Sequence, residues 1–270
     1  MAELPALPSF AELVAPDDWR VIDFMSDVHL RPEDPKTFDA WQHAMATSTA
    51  DALFILGDLF EVWVGDDALD PAIGDDSPIG QFELRCAQVI HAVATRRPVY
   101  FMHGNRDFLL GVKGRTAAGM HWLHDPTVLV FAGQRWLLSH GDALCLDDVA
   151  YQKFRLQVQD PAWQQASLQH PLALRRQMAR QIRQASEQRK DQGLGYADVD
   201  ADAARAWLQA SRSHTLIHGH THLPADHDLG DGLRRIVMSD WEADAQPPRL
   251  EILRLSTSAP AQRVRLLSAA

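Results

Sequence analysis

Residues 215–224 read TLIHGHTHLP, a short apolar run followed at once by three histidines around a glycine and a threonine. An apolar run of this length that ends in turn residues is typical of a buried strand. Packing alone gives little reason to gather three histidines beside a glycine, whereas imidazole is a common metal ligand in proteins. The stretch therefore predicts a strand that ends in a metal site.

Four other apolar runs end in the same kind of polar residue. They are residues 21–26 before Asp27 and His29, residues 52–56 before Asp58, residues 98–102 before Asn105, and residues 135–139 before His140. Between them, residues 38–47 and 81–95 have the pattern of helices, and alternating strands and helices predict an α/β layered core with its chemistry at the carboxyl ends of the strands. Apolar runs at 128–131, 233–238 and 250–255 predict further strands of a second sheet.

Composition excludes several classes of protein. The 270 residues are 46% hydrophobic and 23% charged, which is typical of an ordinary globular chain. The net charge of −10 makes it a poor ligand for nucleic acid, so no nucleic-acid partner is expected. Cys86 and Cys145 are too few for a disulfide framework and fit a reducing compartment. No apolar stretch is long enough to span a bilayer, and no secretory signal is expected, because Pro5, Pro8 and Pro16 interrupt the first residues.

A change in composition divides the chain. Residues 151–192 carry eight Lys or Arg against three Asp or Glu, and Leu174, Met178 and Ile182 recur on one helical face. We expect a core at 21–150 and 211–255, a helical cap inserted at 151–210, an N-terminal extension at 1–20 and a frayed tail at 256–270. A basic helix with one apolar face could meet anionic lipid headgroups or could pack on the core with its basic face in water; its four arginines are Arg175, Arg176, Arg180 and Arg183.

The polar residues at the strand ends make one set of seven metal donors. The set contains two Asp, four His and one Asn: Asp27, His29, Asp58, Asn105, His140, His220 and His222. A tetrahedral zinc site takes only three or four protein ligands. Seven donors suit two ions about 3.5–4 Å apart, with one carboxylate bridging them.

The order Asp-x-His, Gly-Asp, Gly-Asn-Arg-Asp, His-Gly-Asp, Gly-His-x-His resembles the calcineurin-like metallophosphoesterases over residues 21–245. Longer strings at 52–67, 103–111, 140–148 and 216–224 are similar to one branch of them, the UDP-2,3-diacylglucosamine pyrophosphatases of lipid A synthesis. The resemblance implies an α/β fold, a two-sheet sandwich flanked by helices with an inserted cap. With a diacylated substrate, the cap at 151–210 would cover the acyl chains.

The resemblance also implies the roles of the donors. Asp27, His29 and His222 would hold the first metal, Asn105, His140 and His220 the second, and Asp58 would bridge them; Asp58, Asn105 and His140 would be catalytic. The implied reaction is attack of a metal-activated water on the α-phosphorus of UDP-2,3-diacylglucosamine, which gives UMP and 2,3-diacylglucosamine 1-phosphate. The implied ions are Mn²⁺, and the implied location is the cytoplasmic face of the bacterial inner membrane, as a peripheral protein. No protein partner is inferred.

Several residues match substrate contacts of that family. Asn105, His220 and Arg106 would meet phosphate, although Arg106 could instead pair with Asp107. Asp148 and Ser186 match substrate-contacting positions and could equally be helix caps, and Lys190 matches a polar or basic position only loosely, with Gly193 near the next one. His218 lies outside the family's ligand pattern, and a structural bond is expected for it.

Two other functions stay open at this point. The same core could act on a soluble nucleotide or a cyclic nucleotide, or it could be a non-enzymatic scaffold that binds a partner through the insertion. A soluble substrate gives no reason for a basic, apolar-faced helical unit, and a scaffold is expected to have lost ligands, whereas all seven donors are present. Both observations favour an enzyme with a lipid-linked substrate.

Overall fold

The computed structural model describes residues 5–70, 78–191 and 197–266, without the side chains of 78–80 and 184–191. Strands in these ranges are β1 (Ala11–Val14), β2 (Val21–Met25), β3 (Ala52–Leu56), β4 (Val99–Met102), β5 (His121–Trp122), β6 (Thr127–Phe131), β7 (Gln134–Leu138), β8 (Thr215–His218), β9 (Ala225–Gly230), β10 (Leu233–Val237), β11 (Glu251–Ser256) and β12 (Gln262–Arg265). Helices are α1 (Pro35–Thr47), α2 (Pro78–Ala94), α3 (Val112–Ala118), α4 (Val149–Gln159), α5 (Pro161–Leu168), α6 (Leu172–Asp191) and α7 (Ala201–Ser211). The strands and helices expected from the apolar runs are all present.

The strands form two mixed sheets of six. The first has the order β12-β11-β2-β3-β4-β5, with β2 to β5 parallel and β11 antiparallel to β2. The second has the order β1-β6-β7-β8-β10-β9, in which β7, β8 and β10 run parallel. The predicted two-sheet α/β class is confirmed, but residues 250–255, expected in the second sheet, form β11 of the first sheet, because β11 pairs with β2.

Helices cover the outer faces of both sheets, which makes four layers. Phe24, Phe54 and Ile217 belong to the cluster packed between the sheets. Trp41 of α1 packs in a second cluster on the outer face of the first sheet, and Trp207 of α7 in a third on the second sheet. Because both of its faces are covered, β3 (ALFIL) is buried at every position and reads as a continuous apolar run.

Aspartates start several of the helices. The side chain of Asp34 accepts a hydrogen bond from the Thr37 amide at 3.1 Å, and Pro35 follows it at the first helical position. Asp148 caps α4 in the same way through the Tyr151 amide at 2.9 Å. Helix α1 therefore begins at Pro35, three residues before the apolar periodicity that predicted it.

The cap helices α4, α5 and α6 lie beside the core with little buried surface of their own. Helix α5 buries no side chain. Helix α6 is anchored by Arg175, which is only 4% exposed and binds the Asp67 carboxylate, the Val64 carbonyl and the His170 carbonyl. None of the helices in the described ranges is both long and apolar enough to cross a bilayer.

The expectation that four arginines of α6 face lipid headgroups is wrong for most of them. Arg175 is buried in its pair with Asp67. Arg176 lies 3.3 Å from Glu83, and Arg183 lies 3.3 Å from Glu61. Arg180 is exposed. Charge along a helix does not show which of its basic residues find carboxylates on the neighbouring core.

Three segments are more closely tied to the core than the predicted domain boundaries suggest. Strand β1, in the N-terminal extension, pairs with β6, and β12 in the tail pairs with β11. The tail is therefore not frayed up to residue 266. Helix α7 falls inside the predicted insertion and yet packs on the second sheet. Both strands have only four residues and few buried positions, so their sequence signal is weak.

Candidate metal centre

The two sheets bring their strand ends together at one edge. The amide of Asp27 donates to the Gly57 carbonyl at 3.1 Å, and the amide of His29 to the Asp58 carbonyl at 3.0 Å. In the second sheet the Gly219 amide donates to the His140 carbonyl at 3.0 Å. These bonds continue the parallel ladders past the strands, so the segments after β2, β3, β4, β7 and β8 converge. All seven predicted donors lie there, and we call this edge the metal edge.

Five of the seven donors have a left-handed backbone. Their φ angles are 53° at Asp27, 51° at His29, 52° at Asp58, 68° at His220 and 54° at His222. A non-glycine residue in this region costs about 1–3 kcal/mol when the surroundings force it there, and such residues cluster at functional sites. The left-handed turn directs each side chain away from the strand and into the space between the sheets' ends.

Asp27, His29 and His222 form the first group of donors. The Nε2 atoms of His29 and His222 lie 3.2 Å apart. Asp27 Oδ1 is 3.3 Å from His222 Nε2 and 3.9 Å from His29 Nε2, and it accepts no hydrogen bond from the described residues. Donors bound to one ion at about 2.0–2.2 Å stand at such separations. The other oxygen, Oδ2, is held by the Ser26 hydroxyl at 2.6 Å and the His220 amide at 2.9 Å.

Asn105, His140 and His220 form the second group. Asn105 Oδ1 is 3.0 Å from His140 Nε2 and 2.9 Å from His220 Nδ1. His140 Nδ1 is 2.9 Å from the Leu56 carbonyl, and donation to that oxygen places the proton on Nδ1. A ligating histidine ordinarily has this arrangement, because the other ring nitrogen is then free to bind the ion.

Asp58 lies between the two groups. Its Oδ2 is 4.0 Å from His29 Nε2 and 3.8 Å from His140 Nε2, while Oδ1 accepts the Arg106 amide at 2.8 Å. A bridging carboxylate of a two-ion site would occupy this place.

The electrostatics of the metal edge fit divalent cations. Asp27, Asp58 and Asp107 are almost completely buried within one small region. Burial raises the pKa of Asp58 to about 7 and that of Asp107 to about 6, because carboxylates are poorly solvated there. Burial likewise lowers the pKa of His220 to about 3, and thus favours the neutral form that binds metal. Buried carboxylates beside imidazoles of this kind could hold divalent ions.

The pKa of His140 is shifted in the opposite direction to that of His220. Burial alone would lower the pKa of His140, but the carboxylates of Asp58, Asp27 and Asp142 outweigh it and raise the value to about 9. His218, by contrast, is a structural residue as expected: its Nδ1 lies 2.9 Å from the Gly219 carbonyl, and burial lowers its pKa to about 4.

Two glycines leave room for the donors. A Cβ at Gly104 would collide with the Asp58 carboxylate, and a Cβ at Gly219 would collide with Ser26 and the Asp27 carboxylate. A side chain at either position would displace a donor, which explains the glycines beside the polar residues in the sequence.

An apolar cavity of about 350 Å³ opens beside the second group of donors. Asn105, Arg106 and Asp148 line one part of it. The remainder is mainly apolar, with walls from the core loops and all three cap helices, including Val62, Val64, Phe108, Leu109, Phe154, Trp163, Met178 and Ile182. The cavity thus leads from the metal edge into the cap.

The predicted substrate residues are placed as follows. Arg106 lines the cavity and lies 3.6 Å from Glu61, whereas both oxygens of Asp107 accept backbone amides, those of Gly104 and Leu59 at 2.8 Å. Asp148 lines the cavity and also caps α4. Ser186 and Lys190 lie on α6, but their side chains are outside the described residues, as is Gly193.

Sequence reasoning missed residues that support the donors. The Tyr151 hydroxyl donates to Asp142 at 2.6 Å, Arg155 donates to the same oxygen at 2.9 Å, and the Tyr151 ring packs 5.4 Å from the ring of His220. Glu61 lies against His29. The only sequence signal for Asp142 and Asp107 was their place at the end of the His-Gly-Asp and Gly-Asn-Arg-Asp motifs.

The fold and the donor set fit a metal-dependent phosphoesterase, and comparison with known proteins agrees. The family model described as calcineurin-like phosphoesterase matches residues 20–224. The chain belongs to this family and is a metal-dependent hydrolase.

Curated relatives narrow the similarity further. The chain is 47% identical over 229 residues to a UDP-2,3-diacylglucosamine hydrolase of Chromobacterium violaceum, a match that covers 82% of this chain and 90% of the relative. Proteins of the same name from Xanthomonas campestris pv. campestris and Stutzerimonas stutzeri are 43% and 40% identical, over 81% and 82% of this chain and 90% and 91% of theirs.

Proposed function

We propose that this chain hydrolyses UDP-2,3-diacylglucosamine to UMP and 2,3-diacylglucosamine 1-phosphate. The observation that carries the proposal is the apolar cavity that begins at Asn105 and Arg106 and continues between the cap helices. A pyrophosphate at the metal edge would place an attached diacylated sugar in this cavity. The three relatives named UDP-2,3-diacylglucosamine hydrolase support the same substrate.

The seven donors would hold two divalent ions. Asp27, His29 and His222 would hold the first ion, Asn105, His140 and His220 would hold the second, and Asp58 would lie between them. Such ions, when bound, lower the pKa of a water and neutralise phosphoryl oxygens. The chain's own contribution is to hold the metal donors rigidly. The Ser26 hydroxyl and the His220 amide donate hydrogen bonds to Oδ2 of Asp27, and the Arg106 amide donates one to Oδ1 of Asp58. This geometry exists before substrate arrives, so little reorganisation accompanies the reaction.

Arg106 is the residue placed to bind the substrate's phosphates. It follows the donor Asn105, lines the cavity and is half-buried beside Glu61. A guanidinium can bind two phosphate oxygens at once, which orients the group as well as attracting it. Asp148, further along the cavity, would accept hydrogen bonds from the sugar hydroxyls.

The cavity distinguishes this substrate from a soluble nucleotide. Phe154, Met178 and Ile182 offer a nucleotide or cyclic nucleotide no polar partner. Acyl chains gain about 0.8 kcal/mol for each CH₂ removed from water, and an apolar cavity provides that environment outside a bilayer.

We further propose that the ions are Mn²⁺ and that the protein acts at the cytoplasmic face of the inner membrane, as a peripheral protein with no protein partner. The lipid-linked substrate supports the membrane location. On the cap, Leu156, Leu168 and Leu174 are exposed apolar residues beside the exposed Arg180, a combination that suits an anionic bilayer surface.

The proposal is tested with the purified chain, Mn²⁺ and two substrates, UDP-2,3-diacylglucosamine and UDP-glucosamine without acyl chains. We expect UMP release from the acylated substrate with kcat/KM at least about tenfold higher, since the apolar contacts contribute more than 1.4 kcal/mol. In ¹⁸O-water the label should enter UMP, because the water attacks the α-phosphorus.

Equal rates on both substrates would contradict the role of the cavity. Label in the sugar phosphate would contradict attack at the α-phosphorus. Activity restored equally by Mg²⁺, Zn²⁺ and Mn²⁺ would contradict the choice of manganese alone.

A further inference from the structure

Glu61 has no role in the proposed reaction, yet it lies at the centre of a group of basic side chains. Its side chain is 12% exposed, and four groups face it. Oε2 is 3.4 Å from Nδ1 of His29 and 3.9 Å from Arg31. Oε1 is 3.6 Å from Arg106 and 3.3 Å from Nε of Arg183.

The two nitrogens of His29 point to different surroundings. Nε2 faces Asp27, Asp58 and His222, the donors of the metal edge. Nδ1 is buried, makes no hydrogen bond with the described residues and has the Glu61 carboxylate 3.4 Å away. A histidine that binds an ion through Nε2 carries its proton on Nδ1 and needs an acceptor there.

We infer that Glu61 is the positioning residue of His29. Its carboxylate accepts the Nδ1 proton, which sets the tautomer and directs Nε2 to the ion. A small movement of either side chain shortens the present 3.4 Å to a hydrogen bond. The inference rests on the divalent-metal part of the proposed function and not on its substrate.

The arginines hold Glu61 in turn. A glutamate has several rotatable bonds, and a single contact to His29 would not restrain it. Arg31 comes from the segment after β2, Arg106 from the segment after β4, and Arg183 from helix α6 of the cap. Glu61 therefore connects a metal donor to the cap as well as to the core.

The test measures metal binding without substrate, by titrating the metal-free chain with Mn²⁺ and following free Mn²⁺ by electron paramagnetic resonance. Loss of an outer partner of a ligating histidine weakens metal binding about 10- to 100-fold. We expect that loss at one of the two ions in Glu61→Ala and also in Glu61→Met, which keeps the side chain's length without an acceptor. Glu61→Gln retains an acceptor oxygen and should stay within about fivefold of the wild type.

Glu33→Gln is the matched control, because Glu33 is an exposed carboxylate that lines the same surface pocket as Glu61. The Mn²⁺ affinity of this variant should equal that of the wild type. In the zinc-loaded, diamagnetic chain, long-range ¹H–¹⁵N spectra should show His29 protonated at Nδ1 in the wild type and in Glu61→Gln.

Wild-type Mn²⁺ affinity in both Glu61→Ala and Glu61→Met would overturn the inference, and so would a His29 protonated at Nε2. A chain that binds two ions normally but releases no UMP would contradict the proposed function and leave the role of Glu61 intact.

Discussion

At the metal edge, Asp27, Asp58 and His140 are almost completely buried, and hydrogen bonds hold the side chains from two sheets. In the cap next to it, α5 buries no side chain and α4 buries only Val158. The metal edge thus has the rigidity that electrostatic catalysis requires. The cap has the loose apolar surface that suits acyl chains, whose binding depends on area removed from water rather than on direction.

The two regions also differ in how they contribute to the stability of the fold. The metal edge gathers three buried carboxylates, of which Asp58 and Asp107 have a pKa raised by burial, and five residues with a left-handed backbone. The cap is held by a few polar contacts, such as those of Arg175 with Asp67 and of Arg155 with Asp142, and by a small apolar cluster of Leu172 with Val64 and Ala68. Changes at the metal edge should therefore affect function more than stability, and changes in the cap should affect substrate choice.

The largest effect is expected for Asp58→Asn. Loss of the bridging carboxylate should lower kcat/KM by at least about 10³-fold and reduce the bound metal measured by elemental analysis. The metal-free variant should melt no lower than the wild type at pH 8. Burial raises the folded-state pKa of Asp58 to about 7, so the folded chain holds this proton more tightly than the unfolded chain, and the resulting stability is lost as pH rises from about 4 to 7.

Asp23→Asn is the control for that variant. Asp23 is buried on the neighbouring strand β2 and is paired with Arg254 at 2.7 and 2.8 Å. Its loss should cost about 1–3 kcal/mol of stability and leave metal content unchanged. If Asp58→Asn were less stable than the wild type and bound a normal amount of metal, Asp58 would be a structural residue and not a metal donor.

Arg106→Ala should have the next largest effect. Loss of charged hydrogen bonds to phosphate is worth about 1.5–3 kcal/mol, or about 10- to 100-fold in kcat/KM. Metal content should not change, because the guanidinium is not a donor. Arg106→Lys cannot reproduce a two-pronged contact and should recover only part of the activity. Equal activity of the Lys and Arg enzymes would show that Arg106 serves only as a partner of Glu61.

The sequence predicted the metal edge better than the rest of the molecule, for a physical reason. Each donor directly follows a buried strand, so chain order and strand pairing together determine its place, as for Asp27 and His220. Glu61 and Asp142 act on donors from other segments, and nothing local in the sequence marks those contacts. The orientation of Arg175 depends on Asp67 across the fold, and the weak strands β1 and β12 depend on their neighbours. The donors' metal-binding roles stay predictions until metal is measured.

Trp163→Ala tests the role of the cap in binding the acyl chains, and its expected effect is smaller than those above. The indole lines the cavity and packs 6.1 Å from the ring of Phe108, so its removal exposes acyl chain to water. We expect about a tenfold higher KM for the diacylated substrate and little change for a substrate without acyl chains. Val112→Ala is the control, because Val112 is 70% exposed on α3, outside the cap, and does not line the cavity. Equal losses on both substrates would mean that Trp163 supports the metal edge instead.

The smallest effect is expected for Arg180→Ala in vesicle binding. Arg175 and Arg176 are engaged with Asp67 and Glu83, so Arg180, which is exposed, is the arginine of this group placed to meet a membrane. One basic residue near an anionic surface contributes about 1 kcal/mol, so affinity for vesicles with anionic lipid should fall about fivefold and the difference should vanish at high salt. Arg96→Ala, an exposed arginine after α2, is the matched control and should bind as the wild type does. If both variants bound equally well, the cap would bind acyl chains without docking on the bilayer, and the difference between the two regions would be limited to the cavity.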